Sequence, residues 1–339
     1  MRTSTTRLLA SPFTLSLLLL ALLLSALPLA AASGYHVLTE IKIGGDGGWD
    51  YLTADSTARR LYVSHATHVV VIDIDKNAVV GDIPDTPGVH GIALAPEFGK
   101  GFISNGRGNN VTIFDLKTLK ATSTVATEMN PDDITYDPVS KRVFAFNGRS
   151  KSVTVIDAKS GMAVSTVPLP GKPEFAVADG KGKIYDNLED TSEIVEIDAA
   201  KAAVTKKYSL TGCEGPSGMA IDRKARRIFS VCGNRVMAVS DPDKGMVVAT
   251  PPIGAGSDGV IFDPGQGYAI SANGDGTMTV VQQMGGKYEV VDNIATEKGA
   301  RTIAVDEQTH RVYTPTATAN SSGGRGYLPD TFKVVVVGK

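Results

Sequence analysis

Ile134-Thr135-Tyr136 is followed by the turn cluster Asp137-Pro138-Val139-Ser140-Lys141, and Arg142-Val143-Phe144-Ala145-Phe146 by Asn147-Gly148-Arg149-Ser150-Lys151. Val153-Thr154-Val155-Ile156 then gives way to Asp157-Ala158-Lys159-Ser160-Gly161, and Ala163 to Val167 is again a β-forming run. Short β-branched and aromatic runs separated by turn residues at this density describe four antiparallel strands and leave little room for helix.

The same sentence recurs along the chain. Its first apolar run ends at Asp55, Ala95, Asp137, Asp179, Asp222, Asp263 and Asp306, in steps of 40 to 43 residues. A second marker inside the next run falls at Tyr62, Phe102, Phe144, Tyr185, Phe229, Ile270 and Tyr313. A period of about 40 built from strands is the pattern of a β-propeller with one four-stranded blade per repeat. The expectation is an all-β chain, a seven-bladed ring forming a single domain over 33–339, since a lone blade leaves an apolar face bare.

The ring must also close. The seventh unit runs Arg301 to Val305, Arg311 to Thr314 and Phe332 to Val337, one strand short of the others, while Tyr35 to Ile43 supplies a strand before the first unit. Residues 35–43 are therefore expected to complete the last blade and cover edges that would otherwise be unpaired.

Leu61-Tyr62-Val63-Ser64-His65, Gly101-Phe102-Ile103-Ser104-Asn105 and Val143-Phe144-Ala145-Phe146-Asn147 are each followed by a companion run: Val69 to Asp73, Val111 to Asp115 and Val153 to Asp157. On these runs the chain resembles the exported seven-bladed YncE-like proteins of the Tyr-Val-Thr-Asn (YVTN) repeat family, over essentially its whole length after residue 32. The resemblance implies the fold and leaves activity open. Related repeats occur in surface-layer proteins and redox-enzyme propellers, and some relatives bind DNA.

Arg2 and Arg7 precede an apolar stretch from Phe13 to Leu27, and Ala30-Ala31-Ala32 offers small residues before a cut. Residues 1–32 read as a secretory signal peptide, shorter in its apolar core than the ~20 residues of a spanning helix. The expectation is a periplasmic or secreted monomer without a membrane anchor after cleavage. That segment holds two arginines and no acid, so the remainder has 32 basic and 36 acidic side chains and a formal charge of −4. Such a balance lacks the basic footprint of a general nucleic-acid binder, and nucleic acid is not an expected partner. The two cysteines, Cys213 and Cys232, are an even pair in an exported chain. They belong to the connector into blade five and the end of its second strand, and are expected to form a disulfide.

In a propeller the first strand of each blade lines the central channel. The position five before the first marker holds Asp50, His90, Asp132, Glu174, Ser217, Asp258 and Arg301. The position three after the second marker holds His65, Asn105, Asn147, Leu188, Cys232, Asn273 and Thr316. Both sets should converge on one channel mouth. Carboxylates gathered there demand a cation, a proton or water, and a solvated polar rim satisfies the same pattern. Asp50, His90, Asp132, Glu174 and Asp258 are the candidate ligands of a divalent cation: Ca²⁺ by their oxygens, or a transition metal if the histidines take part. Arg301 is placed to counter their charge or to anchor an anionic group. Trp49, the only tryptophan, either stacks over the mouth or packs between blades one and seven. Asn105, Asn147 and Asn273 each precede Gly and read as turn formers tolerant of positive φ. The stretch 316–330 replaces a short turn, and a lid carrying Arg325 and Tyr327 is conceivable beside the mouth.

Covalent-haem, nucleophile-elbow and phosphate-loop motifs are absent from the sequence. Two functions remain. One is a binding propeller holding a small molecule, metal ion or protein at the mouth, through Trp49, Asp50, His65, His90, Asp132, Glu174, Asp258 and Arg301. The other is a metal-dependent hydrolase or lactonase using the mouth carboxylates.

Overall fold

The computed structural model describes residues 1–5, 33–320 and 326–339. Of the signal-peptide reading of 1–32, residues 6–32 lie outside the described residues, as does the lid residue Arg325. Contacts divide the chain into Met1–Ala31 and Ala32–Lys339, and the fold is that of the second unit.

That unit is a seven-bladed β-propeller of seven antiparallel four-stranded sheets. Blade 3 shows the pattern: Pro131–Asp137, Arg142–Asn147, Ser152–Asp157 and Met162–Pro168, paired in sequence order. Its two middle strands are buried almost throughout, whereas Met162–Pro168 buries only Val167. A middle strand is covered on both faces by the flanking blades, so it reads as a continuous apolar run.

The buried apolar side chains of the described residues fall into seven clusters, one in each seam between neighbouring blades. Phe144, Phe146, Val153 and Val155 of blade 3, for instance, pack on Ala176, Ile184, Val195 and Ile197 of blade 4. The second-marker residues Tyr62, Phe102, Phe144, Tyr185, Phe229 and Tyr313 are buried in these seams. Removing such a ring costs about 3–5 kcal/mol, which is why the repeat keeps an aromatic there.

Blade 7 is assembled from both ends of the unit. Its sheet consists of Ala304–Asp306, Arg311–Thr316, Lys333–Gly338 and the early strand His36–Lys42. His36 pairs with Gly338 and Lys42 with Lys333, antiparallel, with a bulge between Val37 and Thr39. The clasp expected at 35–43 is therefore present.

On the face away from the mouth, buried aspartates tie one blade to the next. Asp306 accepts from Arg59 at 2.8 Å across the closing seam, and Asp179 from Arg226 at 2.8 Å. Asp263 contacts His310 Nδ1 at 2.9 Å. These aspartates also accept backbone N–H groups of their own turns, as from Gly265 to Asp263 and from Gln308 to Asp306. Asp73, Asp115, Asp157 and Asp198, at the ends of third strands, accept turn N–H groups in the same way. Their role is structural.

Candidate functional site: the channel mouth

The first strands of most blades leave their ladder at the channel position. Register breaks fall between Val89 and Ile92, Pro131 and Ile134, Pro173 and Ala176, Pro216 and Met219, and Ser257 and Gly259. Each break contains a ring residue, and a bulge re-aims its side chain. Two neighbours must be glycine for the inner strands to meet. A Cβ on Gly218 would lie 2.6 Å from the Asp258 carbonyl oxygen, and one on Gly259 3.0 Å from the Ile303 nitrogen.

Three of the five candidate ligands converge. His90 Nδ1 lies 2.5 Å from Asp50 Oδ2 and 3.0 Å from Asp132 Oδ1, so one imidazole nitrogen faces two carboxylates. Burial opposes charge on His90, yet the Asp50 hydrogen bond and the Asp132 and Glu174 charges push its pKa up to about 9. At neutral pH a proton joins the three residues. Their ligand atoms all lie within 4.8 Å of one another, close enough to hold a metal ion instead. Tetrahedral zinc bonds of roughly 2.0 Å separate ligand atoms by about 3.3 Å, so the trio would open slightly to take one. The opposite edge of the His90 ring sits against Gly106, where a Cβ would lie 2.6 Å from Nε2.

The other two candidate ligands are engaged elsewhere. Asp258 Oδ2 accepts from Arg301 Nε at 2.8 Å, and the same guanidinium donates to the Trp49 carbonyl at 3.3 Å and lies 5.6 Å from the Trp49 ring centroid. Glu174 Oε2 accepts from Lys172 Nζ at 3.0 Å, and Lys172 also binds Glu189. Burial and Asp132 raise the Glu174 pKa to about 8, because Lys172 is shared between two acids. Burial raises Asp132 to about 6 against the pull of His90, and burial with the Asp50 charge raises Asp258 against Arg301. Ser217 turns its hydroxyl to the Ser257 carbonyl at 3.3 Å.

Beneath the ring the channel is crossed by aromatics. Tyr51 of blade 1 meets Phe175 of blade 4 edge-on, with centroids 4.7 Å apart. Tyr51 is buried, and burial with the charges of Asp50, Asp132, Asp258 and Glu174 lifts its pKa well above the ordinary tyrosine value. The mouth itself is a cup. Its cavity of ≈ 430 Å³ is lined by Trp49, Asp50, His90, Arg107, Asn130, Arg149 and Arg301, together with Gly48, Ala66, Gly88 and Val89.

Deeper lies a second acidic group. Burial raises Asp133 to about 7, although its carboxylate accepts the Ala176 N–H at 3.0 Å. Asp186 is fully buried and neither carboxyl oxygen has a hydrogen-bond partner among the described residues. Burial and the Asp133 charge push its pKa well above the ordinary carboxylate value.

Two sequence candidates pack into the seam between blades 7 and 1. His65 is buried in the seam between blades 7 and 1, stacked on Phe332 at 4.2 Å with Nδ1 3.3 Å from His68 Nε2. Burial, with the neighbouring His68, lowers its pKa to about 4. Trp49 is 5% exposed, packed between Tyr327 at 4.5 Å and Phe332 at 5.5 Å, so it presents an edge and not an open stacking wall. Tyr327 lies over Trp49 from the long loop, the segment read as a lid.

The asparagines differ from their sequence reading. Asn105, Asn147 and Asn273 do not have positive φ, nor do Gly106, Gly148 and Gly274. Instead each buried amide donates to a hydroxyl on the next strand: Asn105 to Thr112 at 2.8 Å, Asn147 to Thr154 at 3.0 Å and Asn273 to Thr279 at 3.1 Å. They are cross-strand ties. Cys213 and Cys232 are joined, with Cα atoms 5.4 Å apart, locking the connector into blade five onto that blade's second strand.

Sequence reasoning missed Lys172, Arg107, Arg149, Tyr51 and Asp186. Lys172, two residues before a ring position, carried a signal in its position. Tyr51 carried one too, as the residue after a ring position, where other blades have Gly91, Gly218 and Gly259.

No family model matches the chain, and no curated protein matches it. Among solved structures the chain is similar to Kuenenia stuttgartiensis hydrazine synthase, with 15% sequence identity and a TM-score of 0.70 over 87% of this chain and 97% of that one. At that identity the likeness shows a shared propeller fold alone.

Proposed function

We propose that this chain is an exported binding propeller that holds a small ligand in the cup at its channel mouth. The observation that carries the reading is the cup itself: charged side chains of blades 1, 2, 3 and 7 converge on a ≈ 430 Å³ cavity. Pockets of this size with a few convergent polar groups are the usual setting for small-molecule binding. The resemblance to exported Tyr-Val-Thr-Asn repeat proteins and the signal-like residues 1–32 support a periplasmic or secreted setting. Trp49 is the only tryptophan and lines the cup, so its emission reports occupancy. Titration of the protein with a panel of small molecules should shift Trp49 emission with the same affinity seen by calorimetry. Ligands that bind calorimetrically and leave Trp49 unchanged would place binding elsewhere.

A second reading is favoured by one arrangement, the Asp50, His90 and Asp132 trio. In it the trio exchanges its proton for a divalent cation, which would polarise an ester or lactone carbonyl. Calorimetry with Ca²⁺, Mg²⁺, Zn²⁺ and Cu²⁺, on the wild type and on Asp132→Asn, tests it. Equal and negligible heats in both proteins, with no chelator-sensitive lactone turnover, would remove this reading.

A further inference from the structure

We propose that the mouth selects an anionic ligand, a small molecule bearing a carboxylate or phosphate-type oxyanion, grasped by Arg107, Arg149 and Arg301. This rests on the reading that the cup is a binding site and names the class of its ligand.

The charge around the cavity is opposite in sign to that of the chain. The full sequence has a formal charge of −2, yet the charged residues lining the cup are Asp50 against His90, Arg107, Arg149 and Arg301. Asp50 and Asp132, the acids that could answer the arginines, both face His90 Nδ1, at 2.5 and 3.0 Å. Glu174 is taken by Lys172. The ring acids thus face His90, Lys172 and Arg301, and none of them pairs with Arg107 or Arg149 at the rim.

Arg107 and Arg149 are exposed side chains with no ion pair or side-chain hydrogen bond among the described residues, and both line the same cavity. They flank it from equivalent turns of blades 2 and 3, each two residues after the asparagines Asn105 and Asn147 that occupy one position of the repeat. Like charges brought to one concavity without a counter-ion repel, and an oxyanion relieves that repulsion. Arg301 is different in kind. Its Nε is fixed by Asp258, one N–H of its terminal group by the Trp49 carbonyl, and its plane lies near the indole. A guanidinium has five N–H donors, so one edge remains for a planar anion in a bidentate grip. The Asn130 side-chain amide also lines the cup and makes no hydrogen bond among the described residues. It suits a hydroxyl or a further carbonyl of the same molecule.

The test uses the full exported chain and four probes: citrate, inorganic phosphate, glucose and spermidine, followed by calorimetry and Trp49 emission. Citrate or phosphate should bind and shift Trp49 emission, and added salt should weaken binding. In Arg107→Ala/Arg149→Ala the affinity should fall by about tenfold or more, as expected for loss of charge-assisted contacts, with the thermal midpoint unchanged. Citrate binding without phosphate binding assigns the carboxylate source, and the converse assigns phosphate. Anion binding of equal strength in the double variant overturns the proposal. If glucose or spermidine binds with a Trp49 response and neither anion does, the cup is a binding site and the anionic class is wrong. If none of the four binds, both the class and the cup reading fail.

Discussion

Four of the seven blades carry an acid at both the mouth position and the far end of the first strand, and the two ends treat a carboxyl group in opposite ways. At the face away from the mouth, Asp306 is fully buried yet acidic. Burial would raise its pKa, but hydrogen bonds from Ser56, Thr309 and Arg59 hold it below the ordinary value. At the mouth, five residues upstream in the repeat, Asp132, Glu174 and Asp258 are shifted upward, because burial and mutual repulsion outweigh their cations. One end spends its acids on turns and blade seams. The other assembles acids at a net electrostatic cost, with no turn or seam that requires them. Unfavourably placed charge of this kind clusters at functional sites.

The comparison breaks most completely if the ring is opened. Deletion of His36–Lys42 strips the partner from Lys333–Gly338 and bares a strand edge in blade 7. The expected outcome is aggregation or failure to fold, checked by light scattering and circular dichroism. A monomer with an unchanged thermal midpoint would contradict the pairing.

Next in size is the acid at the structural end. Asp306→Ala leaves Arg59 facing a buried gap at the closing seam and should destabilise by about 3 kcal/mol in denaturant unfolding. A depressed folded pKa stabilises above the unfolded value, near 4, and that stability is lost as pH falls through the folded pKa. The variant should therefore lose most at neutral pH and converge on the wild type in acid.

Asp186 should respond with the opposite sign. It stands opposite Ala176, where the same register places Val63 opposite Leu52, Ile103 opposite Ile92 and Ala145 opposite Ile134. Asp186→Val should stabilise by about 2 kcal/mol at neutral pH, since it removes an unpartnered buried polar group. A raised folded pKa means the penalty is absent below the unfolded value near 4 and grows as pH rises toward the folded one. The gain should accordingly shrink in acid to the part owed to burying the neutral carboxyl. Destabilisation at pH 7 would show that Asp186 has a structural or ligand partner.

The mouth itself should show an effect of similar size. His90→Gln removes a proton held between Asp50 and Asp132 and should cost about 1–3 kcal/mol near pH 7. With its folded pKa raised to about 9, the histidine's contribution is full below its unfolded pKa, near 6.5, and is lost as pH rises through about 9. The gap between variant and wild type should close by about pH 10, as read by thermal unfolding. A gap independent of pH would mean the ring is held by packing and not by charge.

The sequence displayed whatever every blade repeats. The apolar runs, the turn aspartates, the channel position and the clasp strand are legible because each is a local pattern sampled seven times. Asn105, Asn147 and Asn273 show where that legibility ends. Their Asn-Gly spacing suggests a positive-φ turn, whereas the backbone stays ordinary and the amide reaches a threonine across the hairpin. A dipeptide preference cannot see the strand that will lie beside it.

By itself, then, the sequence determined that seven apolar hairpin pairs must stack into a closed ring and that ionisable side chains would line one end of its channel. Only the tertiary structure decided how those charges divide. Which acid takes His90, which takes Lys172 or Arg301, and which arginines stay unpaired depends on distances across the ring. The contact of Tyr51 with Phe175, three blades apart, depends on them too. Electrostatic pairing is set by a few ångströms between blades remote in the chain, and a repeat pattern carries no measure of that separation.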